Sequence, residues 1–216
     1  MHPLVRVARA ALLDALALAL PVECAGCGVP DRSVCDECRR RLAPVPVAVT
    51  RPGLEAWQGL EAWAGLRYAD VAASAIRSMK DAQRTDAAPA LAPALRAALT
   101  AACAAAGEPP GSSLEVAVVP STPAARRERG YEPVRLLLRH AGFRASDVLR
   151  TTAGRVDQAS LGREARRANS AWSMAPARRL DGRAFVLVDD VVTTGSTLAE
   201  AVRAIRSAGG TVHAAA

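Results

Sequence analysis

Four consecutive apolar residues, from Phe185 to Val188, run directly into two aspartates and then into a cluster of threonine, glycine and serine. A continuous apolar run is typical of a strand buried on both faces of a parallel sheet. After the cluster, apolar residues recur at helical spacing until Gly209, which supplies a helix stop. The residues of this stripe are Leu198, Ala201, Val202, Ile205 and Ala208. The pattern predicts a strand, a polar loop and a helix, with polar chemistry where the strand ends.

An earlier part of the chain repeats this pattern. Residues 116–119 form another apolar run, residues 120–130 are expected to be a loop, and apolar residues then recur at helical spacing from Val134 to Ala141. Helices are also predicted over 70–80 and 87–105, and Cys103 falls on the apolar stripe of the second helix, as a core residue would. Strands that alternate with helices predict an α/β fold with a parallel sheet.

The polar cluster after the later strand has the properties of a phosphate site. A helix N-terminus offers unpaired N–H donors and the positive end of the helix dipole, and Gly195 lets the backbone approach a ligand closely. Hydroxyl donors come from Thr193, Thr194, Ser196 and Thr197. Because Asp189 and Asp190 would repel a phosphate, they are expected to serve sugar hydroxyls or a Mg²⁺ ion. The alternative is a bare loop whose hydroxyls only cap the helix.

The stretch 184–197 closely resembles the phosphoribosyl pyrophosphate (PRPP) signature of the type I phosphoribosyltransferases, which is a hydrophobic strand, two acids and the motif T-T-G-S/T-T. The resemblance implies that Asp189 and Asp190 face the ribose hydroxyls as the catalytic pair. It also implies that Thr193–Thr197 hold the 5′-phosphate.

The positive charge of the chain is carried almost entirely by arginine, since Lys80 is the only lysine and the net charge is +7. Arginine suits bidentate phosphate recognition, although a basic surface could equally bind nucleic acid. The chain has 3 Trp, 2 Tyr and 2 Phe, too few to favour stacking against single-stranded bases.

An arginine-loaded loop beyond the first strand is placed to hold a diphosphate opposite the phosphate loop. Its candidates are Ser121, Arg126, Arg127 and Arg129. Lys80 and Arg166 are further candidates for closing over the diphosphate. The alternative is a solvated basic turn.

Four cysteines near the N-terminus form two C-x2-C pairs separated by seven residues. They are Cys24, Cys27, Cys35 and Cys38. Two such pairs can place four thiolates tetrahedrally around one Zn²⁺, which would be structural because no coordination position stays open. The alternative is two disulfides, which would require an oxidising compartment.

The first twenty residues imitate a secretory signal, with two arginines before an apolar stretch. Asp14 interrupts that stretch, however, and apolar residues recur at helical spacing from Val5 to Ala19 before Pro21. An amphipathic helix packed on a cytoplasmic protein is therefore expected, with a signal peptide as the alternative. No run is long and apolar enough to predict a membrane span.

The polar, arginine-rich segment 149–172 lies between two predicted core strands, where long loops often act as lids. It matches much of the pattern R-T-x-x-Q-x-x-L-x-x-x-x-R-x-x-N, through Arg150, Thr151, Thr152, Gln158, Leu161, Arg166 and Asn169. With "RERGYEPV", "IRSMKDAQR" and the cysteine pairs, the chain resembles the ComF family, competence-associated proteins with a zinc module and a phosphoribosyltransferase-like domain. The resemblance extends over nearly the whole chain.

The expected architecture has two parts. Residues 1–50 hold the N-terminal helix, the zinc-knuckle module and a proline-rich linker that extends to about Gly53, and residues 51–216 form a type I phosphoribosyltransferase-like domain with a Rossmann-like parallel sheet. The first functional hypothesis is a PRPP or nucleotide binder, with Mg²⁺, that transfers a phosphoribosyl group in nucleotide metabolism. The second, implied by the family resemblance, is a competence factor for DNA uptake that binds single-stranded DNA or a helicase partner without turnover.

Overall fold

The computed structural model describes residues 22–49, 60–108, 114–152 and 173–216. The predicted N-terminal helix lies outside these residues. So does most of the predicted lid, including Gln158, Leu161, Arg166 and Asn169.

A six-stranded sheet forms the centre of the protein, and a separate two-stranded hairpin accompanies it. The strands are β1 (Val47–Ala48), β2 (Glu61–Ala64), β3 (Leu114–Val118), β4 (Ala145–Ser146), β5 (Leu149–Thr151), β6 (Met174–Pro176), β7 (Ala184–Val188) and β8 (Thr211–Ala215). The order in the sheet is β1-β2-β8-β7-β3-β4, and every pair is parallel except β1 with β2. The predicted α/β fold with a mostly parallel sheet is therefore confirmed.

Six α-helices connect or flank the strands within the described residues. They are α1 (Asp36–Arg41), α2 (Asp70–Asp81), α3 (Ala88–Ala105), α4 (Pro123–Arg129), α5 (Pro133–Ala141) and α6 (Ser196–Ser207), and a 3₁₀ turn at Thr85–Ala87 leads into α3. The predicted helices over 70–80 and 87–105 are confirmed to within one residue at each end.

Two apolar cores cover the two faces of the sheet. On one face, Leu99 and Cys103 of α3 and Leu138 of α5 pack against Val186 and Val188 of β7. On the other, α6 packs against Phe185 and Leu187 through its buried stripe. The continuous apolar run of β7 is thus buried on both sides, as its sequence predicts.

No run long and apolar enough to span a membrane is expected from the sequence, but the segment Thr85–Ala105 meets that criterion by length and composition. Of its most apolar window, 56% is buried inside the protein, where α3 packs on the sheet and on α5. The apolar character of this helix is accounted for by its place in the core.

Two expectations about loops differ from the structure. Residues 123–129 form a helix, because the Thr122 hydroxyl accepts from the Ala125 N–H, Pro123 starts the first turn and Gly130 ends it with φ of 74°. The arginines expected on a loop are therefore on helix α4. The proline-rich segment expected as a linker contains β1, which pairs with β2 from Val47↔Ala64 to Ala48↔Trp63.

The order of strands places a crevice at the carboxyl ends of β3 and β7. The chain leaves β3 toward β4 on one side and returns to β7 on the other, so the winding direction reverses between these two strands. They pair in register from Leu114↔Ala184 to Val118↔Val188, and both therefore end at the same level. In parallel sheets, such a reversal is where ligands bind.

Candidate functional site

The two aspartates predicted as functional lie directly after β7, at this crevice. The Asp189 carboxylate accepts from the Asp190 N–H at 2.9 Å, and the Asp189 N–H donates to the Ala216 carbonyl at 3.1 Å. Asp190 forms an ion pair with Lys80, whose Nζ lies 2.9 Å from Oδ2 and 3.1 Å from Oδ1. The side chains of Lys80 and Asp190 are 29% and 14% exposed, so water screens this pair only in part.

The hydroxyl-rich loop leads into α6 as its sequence predicts. Gly195 has φ of 77°, a left-handed conformation that glycine adopts without strain, and α6 begins at the next residue. The Thr194 hydroxyl lies 3.0 Å from that of Ser196 and 3.4 Å from the Ser196 N–H. The loop therefore places hydroxyl groups beside the N-terminus of a twelve-residue helix, which is an arrangement suited to an anion.

A polar cavity of about 400 Å³ joins the ends of β3 and β7. Its charged and hydroxyl-bearing walls come from Tyr68, Lys80, Ser121, Thr122, Arg129, Asp189, Asp190, Thr193 and Thr197. The structure thus brings together candidate residues from three distant parts of the sequence. Two cations and two carboxylates in one small cavity suit a ligand that carries phosphate groups and hydroxyls.

Arg129 is held against the end of α2. Its Nε donates to the Lys80 carbonyl at 2.7 Å, the Tyr131 hydroxyl donates to the Met79 carbonyl, and Gln83 Nε2 donates to the Glu128 carbonyl at 3.2 Å. These bonds fix the last turn of α2 against the end of α4, and they keep both cations of the polar cavity in place.

The other arginines predicted for the diphosphate lie elsewhere. Arg126 lines a second cavity of about 480 Å³ together with Arg135, Arg139 and Arg144. Arg127 is exposed and lines neither cavity, and Arg166 is outside the described residues. Arg127 follows Arg126 directly and therefore points to another side of α4, whereas Arg129 is the last residue of the helix and is held against α2 through the Lys80 carbonyl.

A third cavity, of about 650 Å³, adjoins the aspartates and was not predicted from the sequence. Apolar residues of β1, β2, α2, α3 and α5 form most of its wall, among them Val47, Trp63, Ile76, Leu91, Ala94, Leu95, Ala98 and Leu137. In the sequence, the stripe on α3 indicated only a core helix and the residues of β1 indicated a linker. The wall forms only because β1 pairs with β2 and so brings their residues together.

The four N-terminal cysteines form a compact cluster. Their sulfur atoms all lie within 4.8 Å of one another, all four thiols are free, and Sγ of Cys27 is 3.8 Å from Sγ of Cys35. Tetrahedral zinc with bonds of about 2.3 Å requires sulfur atoms about 3.8 Å apart, so the cluster fits such an ion. The predicted four-cysteine metal cluster is confirmed as an arrangement that could bind zinc.

The electrostatics of the cluster favour a cation. Burial raises the pKa of the Cys24 thiol, but N–H groups of Cys35, Cys27 and Gly26 that point at its sulfur lower it, and the net pKa is about 6. Burial and the neighbouring thiols raise the pKa of Cys38 above its ordinary value. One thiolate is therefore favoured without a metal, whereas a bound divalent cation would stabilise all four.

The cysteine cluster packs directly on α2. The Ser78 hydroxyl donates to the Ala25 carbonyl at 3.1 Å, and Arg41 pairs with Asp70 at 3.3 Å. A Cβ added to Gly26 would lie 2.8 Å from both Cys38 Sγ and a Val71 methyl group, which explains why glycine is needed there. The same helix therefore touches the cysteine cluster and carries Lys80.

The hairpin β5–β6 flanks α6 and is anchored by a buried acid. Glu200 is 5% exposed, accepts from the Met174 N–H at 3.1 Å, and is bound by both Nε and Nη2 of Arg203 at 2.7 and 2.8 Å. Arg203 also donates to the Met174 carbonyl at 2.9 Å. This network fixes β6 on the helix that begins at the hydroxyl loop.

Comparison with protein families matches residues 129–216 to the model of the phosphoribosyl transferase domain. The matched region contains both aspartates and the hydroxyl loop, and it begins at Arg129 of the polar cavity. A phosphoribosyl transferase domain in this part of the chain is thereby supported. No curated protein was found to match the chain.

Proposed function

We propose that the protein binds PRPP or a ribose-5-phosphate nucleotide and transfers its phosphoribosyl group. The observation that carries the proposal is the polar cavity, which combines a carboxylate pair, a hydroxyl loop at a helix N-terminus and two cations. In this proposal Thr193–Thr197 hold the 5′-phosphate and Asp189 and Asp190 hold the ribose hydroxyls. Lys80, Arg129 and Ser121 receive the pyrophosphate.

The residues of the cavity would stabilise charge as the bond between C1 of the ribose and pyrophosphate breaks. The carboxylates of Asp189 and Asp190 would stabilise the positive charge that develops on the ribose, and Lys80 and Arg129 would stabilise the negative charge on the departing pyrophosphate. Mg²⁺ fits this donor set, since carboxylate and phosphate oxygens are its usual ligands, and when bound it would add positive charge at the pyrophosphate. Arg126 and Arg127 belong to the proposal only as more distant charges, because neither lines the cavity.

The cysteine cluster belongs to the same proposal as a structural zinc site within residues 1–50, docked on a catalytic domain of residues 51–216. Four thiolate ligands leave no position for a substrate, so the ion would act by holding the module folded. Zinc thiolates require reduced cysteines, so the proposal includes a cytoplasmic location.

The test is calorimetric binding of PRPP with Mg²⁺, followed by an assay of pyrophosphate release. Asp190→Asn should weaken PRPP binding at least tenfold, whereas Asp147→Asn, which alters an exposed carboxylate outside the polar cavity, should bind PRPP like the wild type. Wild-type protein that binds neither PRPP nor ribose 5-phosphate at millimolar concentration would refute the proposal.

A second candidate function is single-stranded DNA binding in DNA uptake, with or without a helicase partner, as the resemblance to the ComF family implies. The observation in its favour is the second cavity, whose wall holds four arginines and two aromatic residues, Tyr131 and Phe143. Arg135 is paired with Glu132 and Asp147, whereas Arg126, Arg139 and Arg144 are exposed. Exposed guanidinium groups suit contacts with a phosphate backbone, whereas Tyr131 and Phe143 are partly buried against the core.

The two candidates can be separated by their sites and their salt dependence. Arg139→Gln with Arg144→Gln should weaken binding of a single-stranded oligonucleotide and reduce its salt slope, while PRPP binding stays within twofold. The matched control is Arg150→Gln with Arg178→Gln, which removes the same charge outside this cavity. If both double variants weaken DNA binding equally, the second cavity has no special role.

A further inference from the structure

We infer that the second cavity, of about 480 Å³, binds a terminal phosphate group, either on a free nucleotide or at the end of a nucleic-acid strand. The inference goes beyond the transferase proposal; for a strand end it deepens the second candidate function and rests on it. The volume lies within the range of about 300–1,000 Å³ that small-molecule sites occupy.

The second cavity is separate from the polar cavity, although α4 and the start of α5 contribute to both. Ala125, Arg129 and Val134 line the polar cavity, whereas Arg126 and Gly130 line the second one. No residue in the described part of the chain lines both cavities. A substitution in the second cavity therefore leaves the proposed PRPP contacts in place.

Among the arginines of the second cavity, Arg135 is held by two acids. Its guanidinium pairs with Glu132, whose side chain is 13% exposed, and with Asp147, which lies outside the cavity. Glu132 is the single acid that lines the cavity among the residues that the structure describes, and Arg135 occupies it. Its carboxylate is therefore already paired and competes little with a bound anion for the remaining arginines.

Three guanidinium groups remain for a ligand, those of Arg126, Arg139 and Arg144. All three residues are exposed, and none forms an ion pair within the described ranges of the chain. The carbonyl groups at the C-terminal end of α5 carry partial negative charge, but Arg96 of α3 lies beside them, with Nη2 3.1 Å from the position that a Cβ on Gly142 would take. Arg96 therefore balances the helix end, and the three guanidinium groups keep their charge for an anion.

The charge of this group of residues matches a terminal phosphate better than an internal one. The four arginines and the two carboxylates paired with Arg135 leave a formal charge of +2. A terminal phosphate carries about −1.5 to −2 at pH 7, whereas each phosphate inside a strand carries one negative charge. A terminal phosphate also offers three free oxygen atoms, and each arginine can bind two oxygens through its planar fork.

Recognition is assigned to the phosphate and not to a base. Tyr131 and Phe143 line the cavity, but both pack partly against the core, so their rings are not free platforms for stacking. A free nucleotide and a strand end share the phosphate that the arginines would bind, and the experiment separates these two sources.

Oligothymidylates that are identical except for a 5′-phosphate are the probes, each with the same 3′-fluorophore, and fluorescence anisotropy at fixed salt measures their affinity. The wild type should bind the phosphorylated strand at least fivefold more tightly, because a doubly charged end can pair with more than one guanidinium. Calorimetry of thymidine 5′-monophosphate against thymidine tests the free nucleotide. Binding of the nucleotide without a preference between the strands would support the site and count against strand ends as its source. Equal affinity for both strands, with no binding of the nucleotide, would overturn the inference.

Variants locate the phosphate. Arg139→Gln with Arg144→Gln should abolish the preference between the strands and weaken nucleotide binding at least fivefold. The ratio between the strands is the readout, because a general loss of positive charge weakens both strands alike. The matched control is Arg178→Gln with Arg179→Gln, which removes the same charge at exposed positions outside this cavity and should keep both effects. Arg126→Gln, on α4, should reduce them too and covers the case in which the double variant does not fold.

The site and the transferase proposal fail separately. Effects that survive in a folded cavity variant, or that are lost in the control variant, would overturn the assignment of the phosphate to this cavity. Asp190→Asn should leave the preference between the strands unchanged, since Asp190 lines the polar cavity and not the second one. Wild-type protein that shows the preference but binds no PRPP would count against the transferase proposal alone.

Discussion

The ion pair between Lys80 and Asp190 links two candidate ligand groups that are 110 residues apart in the sequence, and its removal has a distinctive expected effect. Lys80→Met keeps much of the side-chain length and removes the charge. It leaves Asp190, whose side chain is 14% exposed, without its cation, and it removes one of the two cations that line the polar cavity. We therefore expect both the free energy of unfolding and the affinity for PRPP to fall.

The size of the stability change follows from the geometry. Two unit charges 2.9 Å apart attract with about 6 kcal/mol at an effective dielectric constant of about 20. The cost of removing the two charges from water offsets most of that attraction, and water around the exposed part of the Lys80 side chain weakens it further. A net loss of about 1–2 kcal/mol remains, consistent with a hydrogen bond between charged groups. Loss of the cation should weaken PRPP binding by about tenfold to a hundredfold, because pyrophosphate loses one charged donor.

The assay is urea unfolding and PRPP calorimetry for the wild type, Lys80→Met, Asp190→Asn and the double variant. The double-variant cycle should give a coupling of about 1–2 kcal/mol in stability. Lys80→Arg retains the charge and should recover part of both losses. A coupling near zero, or full PRPP affinity in Lys80→Met, would refute the reasoning.

Three further predictions concern the parts that hold the site in place. Arg183→Gln removes two bonds of 2.6 Å to Glu115, and the Arg183 hydrogen bonds lower the pKa of that carboxyl. The variant should therefore lose about 1 kcal/mol of stability at pH 7. This difference from the wild type should fade as the pH falls from the ordinary carboxyl pKa toward the lowered one, because protonation of Glu115 removes the pair in the wild type too. Urea unfolding at pH 7 and at pH 3 measures both effects. Glu200→Ala should cost about 2–4 kcal/mol in thermal unfolding and increase hydrogen exchange at Met174, since it removes the acceptor of the Met174 N–H and both carboxylate bonds to Arg203. Glu37→Ala, which alters an exposed side chain of α1, should change stability little. Protein treated with a chelator and then dialysed into Mg²⁺ without zinc should melt at a lower temperature and bind PRPP more weakly, and re-addition of Zn²⁺ should restore both. Unchanged PRPP affinity in the zinc-free protein with Mg²⁺ present would show that the module and the site are independent.

Local sequence signals predicted the elements whose structure depends on near neighbours. The run Phe185–Val188 and the following Gly195 indicated a buried strand, a loop and a helix start, and each lies where expected. The short helix α4 carried its own signals in Thr122, Pro123 and Gly130, but the density of arginines suggested a loop instead. Cap residues were the better guide, because they act on the backbone itself.

Contacts between distant segments could not be predicted in the same way. Nothing near Lys80 in the sequence specifies Asp190 as its partner, and β1 is a strand only because β2 lies beside it. The 650 Å³ cavity likewise arises from elements that are separate in the sequence. Sequence patterns identified chemical groups, whereas the packing of the chain determined which groups face one ligand.

Helix α2 explains how a cysteine cluster far from the aspartates could affect them. Ser78 bonds to the Ala25 carbonyl within the cysteine module, and two residues later Lys80 reaches Asp190. The Tyr131 hydroxyl and Arg129 bind the carbonyls of Met79 and Lys80, so the last turn of α2 is held from both sides. Loss of order in the cysteine module would remove the support on one side only, and Lys80 would then be positioned by α4 and Tyr131 alone. Ser78→Ala isolates this link, because it removes one bond to the module while leaving the thiols and the cavity unchanged; it should weaken PRPP binding severalfold at full zinc occupancy, and equal affinity in the variant and the wild type would show that α2 needs no support from the module.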